Sequence, residues 1–286
     1  MSYMDRIKAC AIYNAADFVS FMVGNVQVGG IRHELVSHLR SFPDVFVIND
    51  AVSLAPDLDT YAKRTAAMIP VLVEFRDQGL ISGWRDEPYA AGVSFSTPAL
   101  FEMERAAVPL FGVKGYGVHM NGFVRDGDAI SMWVGKRSLS KPTGPGKLDQ
   151  MVAGGQPVGM GLKDNLVKEC AEEAGIPEEI AVHAKPIGTI TYLTDRPEGL
   201  RDDELFNFDL EVPAGFTPQN TDGEVDEFYL WPTHEVAERI QTTDDFKFNA
   251  ALVVIDFLVR HGEIDADHPD YSDIVAGLHR QSNHRR

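Results

Sequence analysis

The stretch from Gly154 to Pro177, GGQPVGMGLKDNLVKECAEEAGIP, constrains this chain more than any other. Glycines at 154, 155, 159 and 161 precede a segment of helical composition, and Glu169, Glu172 and Glu173 crowd its end just before Gly175. Asp164 suits the N-cap, Gly175 the left-handed position past the C-terminus, and Pro177 follows, so the spacing predicts a helix over 165–174. Glu169 then faces both other glutamates at i+3 and i+4. Each facing like-charge pair costs roughly 0.2–0.5 kcal/mol, and acid in the last turn opposes the helix dipole by roughly 0.3–1 kcal/mol per unscreened charge. Two readings stay open on these residues alone. One is a solvated acidic face, relieved a little by Lys168. The other is a divalent-cation site, in which carboxylate oxygens take a hard ion and the glycines let backbone come close to it.

The flanking pattern bounds the fold. From residue 1 to about 112 the chain carries helical periodicity. IRHELVSHLRSF aligns Ile31, Leu35, Leu39 and Phe42, and DTYAKRTAAMIPVLVEFRDQGLI reads as a long helix kinked or broken at Pro70 and ended by Gly79. DVFVIND reads as a short strand, and FEMERAAVPLFGV as a short helix stopped before Pro109. Beyond 113 strands dominate. YGVHMNGFVR and AISMWVGKRS flank a turn at Asp126-Gly127-Asp128 and predict a hairpin. KPTGPGKLDQ is a Pro/Gly loop. IGTITYLTD, ELFNFDLEV and DEFYLWP read as strands, THEVAERIQ and FKFNAALVVIDFLVRHG as helices, and LHRQSNHRR as a polar, frayed end. The expected fold class is α/β, with an accessory α/β domain over 1–112, a layered domain with a mixed sheet over 113–262 and a tail over 263–286.

Charge narrows the partners. Forty-three acidic residues against 26 Lys and Arg give a net charge of −17, which argues against nucleic acid or an anionic membrane as partner. A phosphate-bearing ligand needs metal ions or locally placed cations on such a surface. Only Cys10 and Cys170 occur, a usage that suits a reducing compartment, with Cys170 as a small buried hydrophobe. No signal-peptide core opens the sequence and no run of 18 apolar residues appears, so a cytoplasmic protein without a membrane span is expected.

The block KECAEEAGI, with Gly154 ahead of it, resembles the Nudix hydrolase signature, a glycine followed by Arg-Glu-aliphatic-x-Glu-Glu-x-Gly-aliphatic at fixed spacing. Glu169, Glu172, Glu173, Gly175 and Ile176 stand in register. Met160 stands where the first glutamate of that signature falls, and Lys168 where its arginine falls. Lys168 keeps the charge and loses the planar fork that orients a carboxylate. GVHMNGFV, KRSLSKPTGPGKLDQMVAGGQPVG, NLVKECAEEAGI and DGEVDEFYLWP, together with FPDVFVI and GLISGWRDE, resemble a Nudix subgroup with an extra N-terminal domain, related to the Nudix part found beside thiamine pyrophosphokinase.

The resemblance implies a Nudix α/β/α sandwich and metal-dependent hydrolysis of thiamine diphosphate analogues, especially oxidised forms, to monophosphate and phosphate. ADP-ribose, nucleotide sugars and coenzyme A are the alternative substrates, and a ligand-binding domain without turnover is the non-catalytic alternative. It implies Mg²⁺ (or Mn²⁺) on Glu169, Glu172 and Glu173, and catalytic roles for Glu172, Glu173 and a fourth carboxylate from another loop. Glu224 in DGEVDEF is the candidate, weighed evenly against a surface acid beside a turn. Arg137 and Lys141 are candidate phosphate-binding cations, with Gly154 and Gly155 as the close-approach backbone. His119 reads as a core residue. Trp133, Tyr192 and Phe206 are candidates for stacking a ring, although aromatics on strands are usually core, and Trp84 for shaping a pocket at the domain boundary. The N-terminal domain is a candidate surface for forming a homodimer.

Overall fold

The computed structural model describes residues 2–279. Its centre is a seven-stranded mixed sheet. Lys185–Arg196, Gly199–Glu211, Lys114–Asp126, Ala129–Arg137 and Val225–Pro232 lie side by side in that order. Gly199–Glu211 runs parallel to Lys114–Asp126, and the other pairings are antiparallel. The short strand Val152–Gly155 pairs with the first half of Lys114–Asp126, putting Gly154 opposite Val118 and Gly155 opposite Gly117. The predicted hairpin is present and turns through Gly127 at φ +59°, a left-handed conformation natural to glycine.

Helices cover both faces. On one, Leu166, Cys170 and Ala174 of the acidic helix pack with Val118, Met120, Trp133 and Leu210. On the other, Ala250–Arg260, an almost wholly buried apolar helix, packs with Phe123, Met132, Val134, Tyr192 and Leu205. Burying a helix on each side of the sheet makes the α/β/α sandwich.

The N-terminal domain has its own core. A four-stranded sheet in the order Val26–Arg32, Phe18–Val23, Val52–Leu54, Phe46–Ile48 is accompanied by the helices His33–Leu39 and Tyr61–Asp77 and by the hairpin Pro88–Ala91/Phe101–Glu104. Phe21, Phe75, Phe101 and Phe111 are among its fully buried side chains.

Several expectations are corrected. The Tyr61–Asp77 helix is continuous through Pro70, because that residue lies on the exposed face while Met68, Val71, Leu72 and Phe75 anchor the buried one. FEMERAAVPLF is not one helix. Phe101–Glu104 is a strand, and Pro109 sits in the first turn of the helix Val108–Phe111, where its missing N–H costs nothing. Ile31 belongs to a strand rather than to the helix that follows it. The acidic helix starts a turn earlier than expected, at Leu162, with Gly161 as N-cap and Asp164 inside its first turn.

Both ends of the described chain add helices to the core of the central sheet. The first helix, Tyr3–Ala9, buries Tyr3 and Ile7 in the core of the C-terminal layers. Of the stretch assigned to a tail, Tyr271–Leu278 is a helix that buries Ile274 and Leu278 in the same core. Residues 280–286, which hold most of the expected frayed end, lie outside the described residues. Cys10 and Cys170 are both buried free thiols. Among the described residues no helix is long and apolar enough to cross a membrane.

Candidate active site

The acidic helix ends as its sequence requires. Gly175 adopts φ +60°, its N–H bonds to the Ala171 carbonyl and the Ile176 N–H to the Cys170 carbonyl, closing the C-terminus in a Schellman arrangement. The loop before Val225–Pro232 caps the remaining carbonyls. Gln219 N donates to Ala174 O, and Thr221 Oγ1 donates to Glu172 O at 2.6 Å. The same loop carries Glu224, so the two expected acidic elements are physically joined.

The helix lies against Val152–Gly155. Glu173 is buried and its Oε2 accepts the Ala153 backbone N–H at 2.7 Å. A Cβ at position 154 would stand 2.3 Å from Glu169 Cδ, so the Glu169 carboxyl rests directly on the Gly154 backbone. Burial pushes the Glu173 carboxyl up to about 8, against the opposing Ala153 hydrogen bond and with help from Glu169. Burial likewise raises Glu169, partly offset by Lys168. Lys168 Nζ lies 3.3 Å from Glu169 Oε1 and 2.6 Å from Glu172 Oε2. Its ammonium supplies positive charge among the carboxylates.

These residues fit a hard divalent cation by the chemistry of their donors. The buried Glu173 and the part-buried Glu169 resist ionisation, Glu172 is half exposed, and Lys168 sits beside Glu169 and Glu172. They are not drawn into a finished ligand cluster. Among the described residues, no three His, Cys, Asp or Glu side chains form a group that could hold a metal ion. Met160, half-buried, takes no side-chain part, and its carbonyl accepts from Gln156 Nε2 at 2.7 Å.

A cleft of ≈ 780 Å³ runs between the segment 80–109 and the central sheet and reaches the Ala153–Gly155 backbone. The glutamates do not line it, but Glu169 and Glu173 contact that same backbone from the helix side. Arg85, Tyr89 and Arg105 of the N-terminal domain form one wall, and Lys141, Arg201 and Lys247 of the C-terminal domain face the space. In a chain of net charge −17, these cations gather at the cleft, each ion-paired to an acidic neighbour, and Glu198, Asp203 and Asp244 line it too.

The expected site residues are placed as follows. Lys141 and Glu224 form an ion pair, completed by Arg85 Nη1 at 3.2 Å from Glu224 Oε1. Burial would raise the Glu224 carboxyl, but the Lys141 and Arg85 contacts hold it at about 2. Arg137 lines the cleft, yet its nitrogens are engaged by Asp149 at 2.8 Å and by the carbonyls of Thr143 and Gly144, so it braces the Pro/Gly loop. Lys247 completes that buried group at 3.2 Å from Asp149, and burial lowers its ammonium to about 8.

His119 is buried on Gln150 and pushed down to about 4 by burial, which makes it a neutral interior residue, as its place on a strand suggested. Trp133 and Tyr192 are core residues, the latter bonded to Asp203. The Phe206 ring lies tilted against Phe95, with centroids 4.7 Å apart. Trp84 bonds Asp86 and lies outside the cleft lining, which its neighbours Gly83 and Arg85 join. Sequence reasoning missed Tyr89, Arg105, Arg201 and Lys247. The one hint was the doubled glycine at 154–155, since a Cβ on Gly155 would collide with Tyr89 and Arg105.

A mixed sheet between two helical layers carries an acid-ended helix on a glycine strand beside this cleft, and the relatives of the chain make it a hydrolase acting on pyrophosphate bonds. The chain belongs to the Nudix hydrolase family. It is 43% identical over 289 residues to Nudix hydrolase 20, chloroplastic, of Arabidopsis thaliana, covering 96% of this chain and 77% of that protein. It is 42% identical over 282 residues to Nudix hydrolase 24, chloroplastic, of the same plant, with the same two coverages. It is also 32% identical over 216 residues to an uncharacterized protein of Saccharomyces cerevisiae, covering 70% of this chain and 62% of that one. A family model described as a domain of unknown function (DUF4743) matches residues 2–115. Nudix hydrolases generally use divalent metals and act on small-molecule diphosphates.

Proposed function

We propose that this protein hydrolyses the diphosphate linkage of a small organic diphosphate with Mg²⁺ (or Mn²⁺) held by Glu169, Glu172 and Glu173. The observation that carries the reading is the seating of the buried Glu173 and part-buried Glu169 carboxyl groups on the Ala153–Gly154 backbone, at the edge of a cleft that gathers several cations. A bound divalent ion would neutralise the carboxylates, polarise the phosphates and make water a better nucleophile.

The protein's own side chains do the positioning on which phosphoryl transfer depends. The Ala153 N–H fixes the Glu173 rotamer, which places that carboxyl to hold the ion or accept a proton from the attacking water. The cleft cations bind phosphate oxygens. Glu224, already ionised and held by Lys141 and Arg85, ties the loop at 138–146 to the N-terminal domain rather than acting as the base.

For the organic moiety, the resemblance favours thiamine diphosphate analogues, and ADP-ribose, nucleotide sugars and coenzyme A are equally compatible with the cleft. A Mg²⁺-dependent hydrolysis screen that includes oxothiamine diphosphate and ADP-ribose separates them by which one releases product. Metal-independent binding with no release from any member would instead make the domain a sensor. Two further proposals remain, a cytoplasmic location, tested by imaging a tagged chain, and pairing through the N-terminal domain, tested by light scattering. The two plant relatives carry the word chloroplastic in their names.

A further inference from the structure

The hydroxyl of Tyr89 is a buried polar atom with no hydrogen-bond partner. The residue is 5% exposed, belongs to the strand Pro88–Ala91 of the N-terminal domain and lines the cleft. A buried hydroxyl without a partner costs about 1–3 kcal/mol, so such an atom at a cleft wall points to a ligand that satisfies it. Beside it stands Arg105, whose guanidinium carbon is 5.5 Å from the Tyr89 ring centroid. One Arg105 nitrogen, Nη1, bonds Glu87 at 2.8 Å.

Both groups are aimed at the backbone of the Nudix glycine strand. An ideal Cβ on Gly155 would lie 1.5 Å from Tyr89 Oη and 2.8 Å from Arg105 Cζ. The charge of Arg105 is also felt by Glu169 across that strand.

The wall is rigid. Glu104, itself buried, accepts backbone N–H groups from Arg85 at 3.0 Å, Glu87 at 3.2 Å and Ala106 at 3.2 Å. One carboxylate therefore fixes the segments that carry Arg85 and Arg105. Val158 N donates to Pro88 O at 3.1 Å and fastens the Nudix loop to the strand bearing Tyr89. Preorganised donors of this kind bind an anion without further ordering cost.

We propose that the N-terminal domain completes the Nudix cleft by supplying Tyr89 and Arg105 as binding groups for a phosphate oxygen of the diphosphate seated beside Gly154 and Gly155. This deepens the hydrolase reading and rests on it only for the identity of the ligand. It gives the domain matched over residues 2–115 a direct part in substrate recognition. Arg105 offers a charged hydrogen bond and Tyr89 a neutral one, so the arginine carries most of the binding.

The test uses the whole chain and α,β-methylene-ADP, a diphosphate that resists hydrolysis, with calorimetric Kd measured in Mg²⁺. Arg105→Met is expected to weaken binding about 10- to 100-fold. Arg105→Lys recovers part of that loss, because the charge returns without the fork. Tyr89→Phe, which keeps the ring and its packing, weakens binding about 3- to 10-fold. Thermal unfolding of each variant shows whether the fold persists. Kd values for Tyr89→Phe and Arg105→Lys within about twofold of the parent, at unchanged melting temperature, overturn the proposal, as does a parent that does not bind the probe. A parent that hydrolyses diphosphates while these variants bind normally sinks only this inference. Arg105-dependent binding without any turnover sinks only the hydrolase reading.

Discussion

The Glu173 carboxyl accepts the Ala153 backbone N–H at 2.7 Å, and this bond, with Asn165 Nδ2 to Gly155 O at 2.8 Å, joins the acidic helix to the glycine strand of the sheet. It also holds a buried acid whose carboxyl is pushed up to about 8. Folding therefore places a group that is costly to ionise where a cation would lower the cost.

Replacing Glu173 with Gln keeps an acceptor for Ala153 and removes the carboxyl that could ionise onto a metal or take a proton. Turnover should fall by about 10²–10⁴-fold, while the melting temperature of the metal-free chain holds, because a carboxyl pushed up to about 8 is largely neutral there already. Steady-state kcat and a thermal melt measured together check this. A Gln variant that turns over like the parent would remove Glu173 from the chemistry.

Glu224→Gln should behave differently. Its carboxylate is held at about 2 by Lys141 and Arg85 and accepts protons poorly near neutral pH. The expected loss in kcat is less than about tenfold, with a lower melting temperature from the freed loop and unpaired cations. A kcat loss equal to that of Glu173→Gln would make Glu224 the base.

Gly154→Ala would put a methyl group 2.3 Å from Glu169 Cδ. The Glu169 side chain must then swing away, since its contact on the strand is backbone. A stability cost of about 1–3 kcal/mol is expected, together with weaker activation by Mg²⁺. Urea unfolding and a Mg²⁺ titration of activity read the two effects separately.

Acid stability should depend on Asp209, which meets Arg260 of the helix on the other face of the sheet. Asn121 Nδ2 donates to it at 3.0 Å, Arg260 grips both of its oxygens, and the His261 ring lies 3.5 Å away. Burial would raise its carboxyl, yet His261, Arg260 and Asn121 together hold it below the ordinary value. Because the unfolded chain binds this proton more readily, the contribution is complete above an unfolded value of about 3.9 and is lost as pH falls through the folded value. Asp209→Ala should cost about 3 kcal/mol at neutral pH and flatten the loss of stability between pH 5 and pH 3 (a window set by about one unit either side of the unfolded value). Urea unfolding across that range tests both parts.

Addition of EDTA should abolish hydrolysis, and Mg²⁺ or Mn²⁺ should restore it. At about a hundred times its Kd the ion should stabilise the fold by about 2.7 kcal/mol. Since Lys168 now bridges Glu169 and Glu172, Lys168→Met should make the apo chain more dependent on added metal for its melting temperature. Equal metal-induced shifts in both proteins would argue that Lys168 is not the stand-in charge.

Local chemistry alone determined much of this protein. The acidic helix and its glycine stop, the hairpin at Gly127 and the strands and helices around the sheet follow from caps, turns and apolar spacing that act over a few residues. The register of Glu169, Glu172 and Glu173 follows from helical geometry. What local pattern could not decide was set by packing. Pro70 is tolerated because its face is exposed, and Tyr3–Ala9 and Tyr271–Leu278, at opposite ends of the described chain, are buried in one core. Lys141 and Arg85 converge on Glu224, and Tyr89 and Arg105 meet Gly155, across a domain boundary that no spacing rule spans. A cleft wall is a property of two surfaces brought together by burial, and the residues facing each other across it carry no mark of one another along the chain.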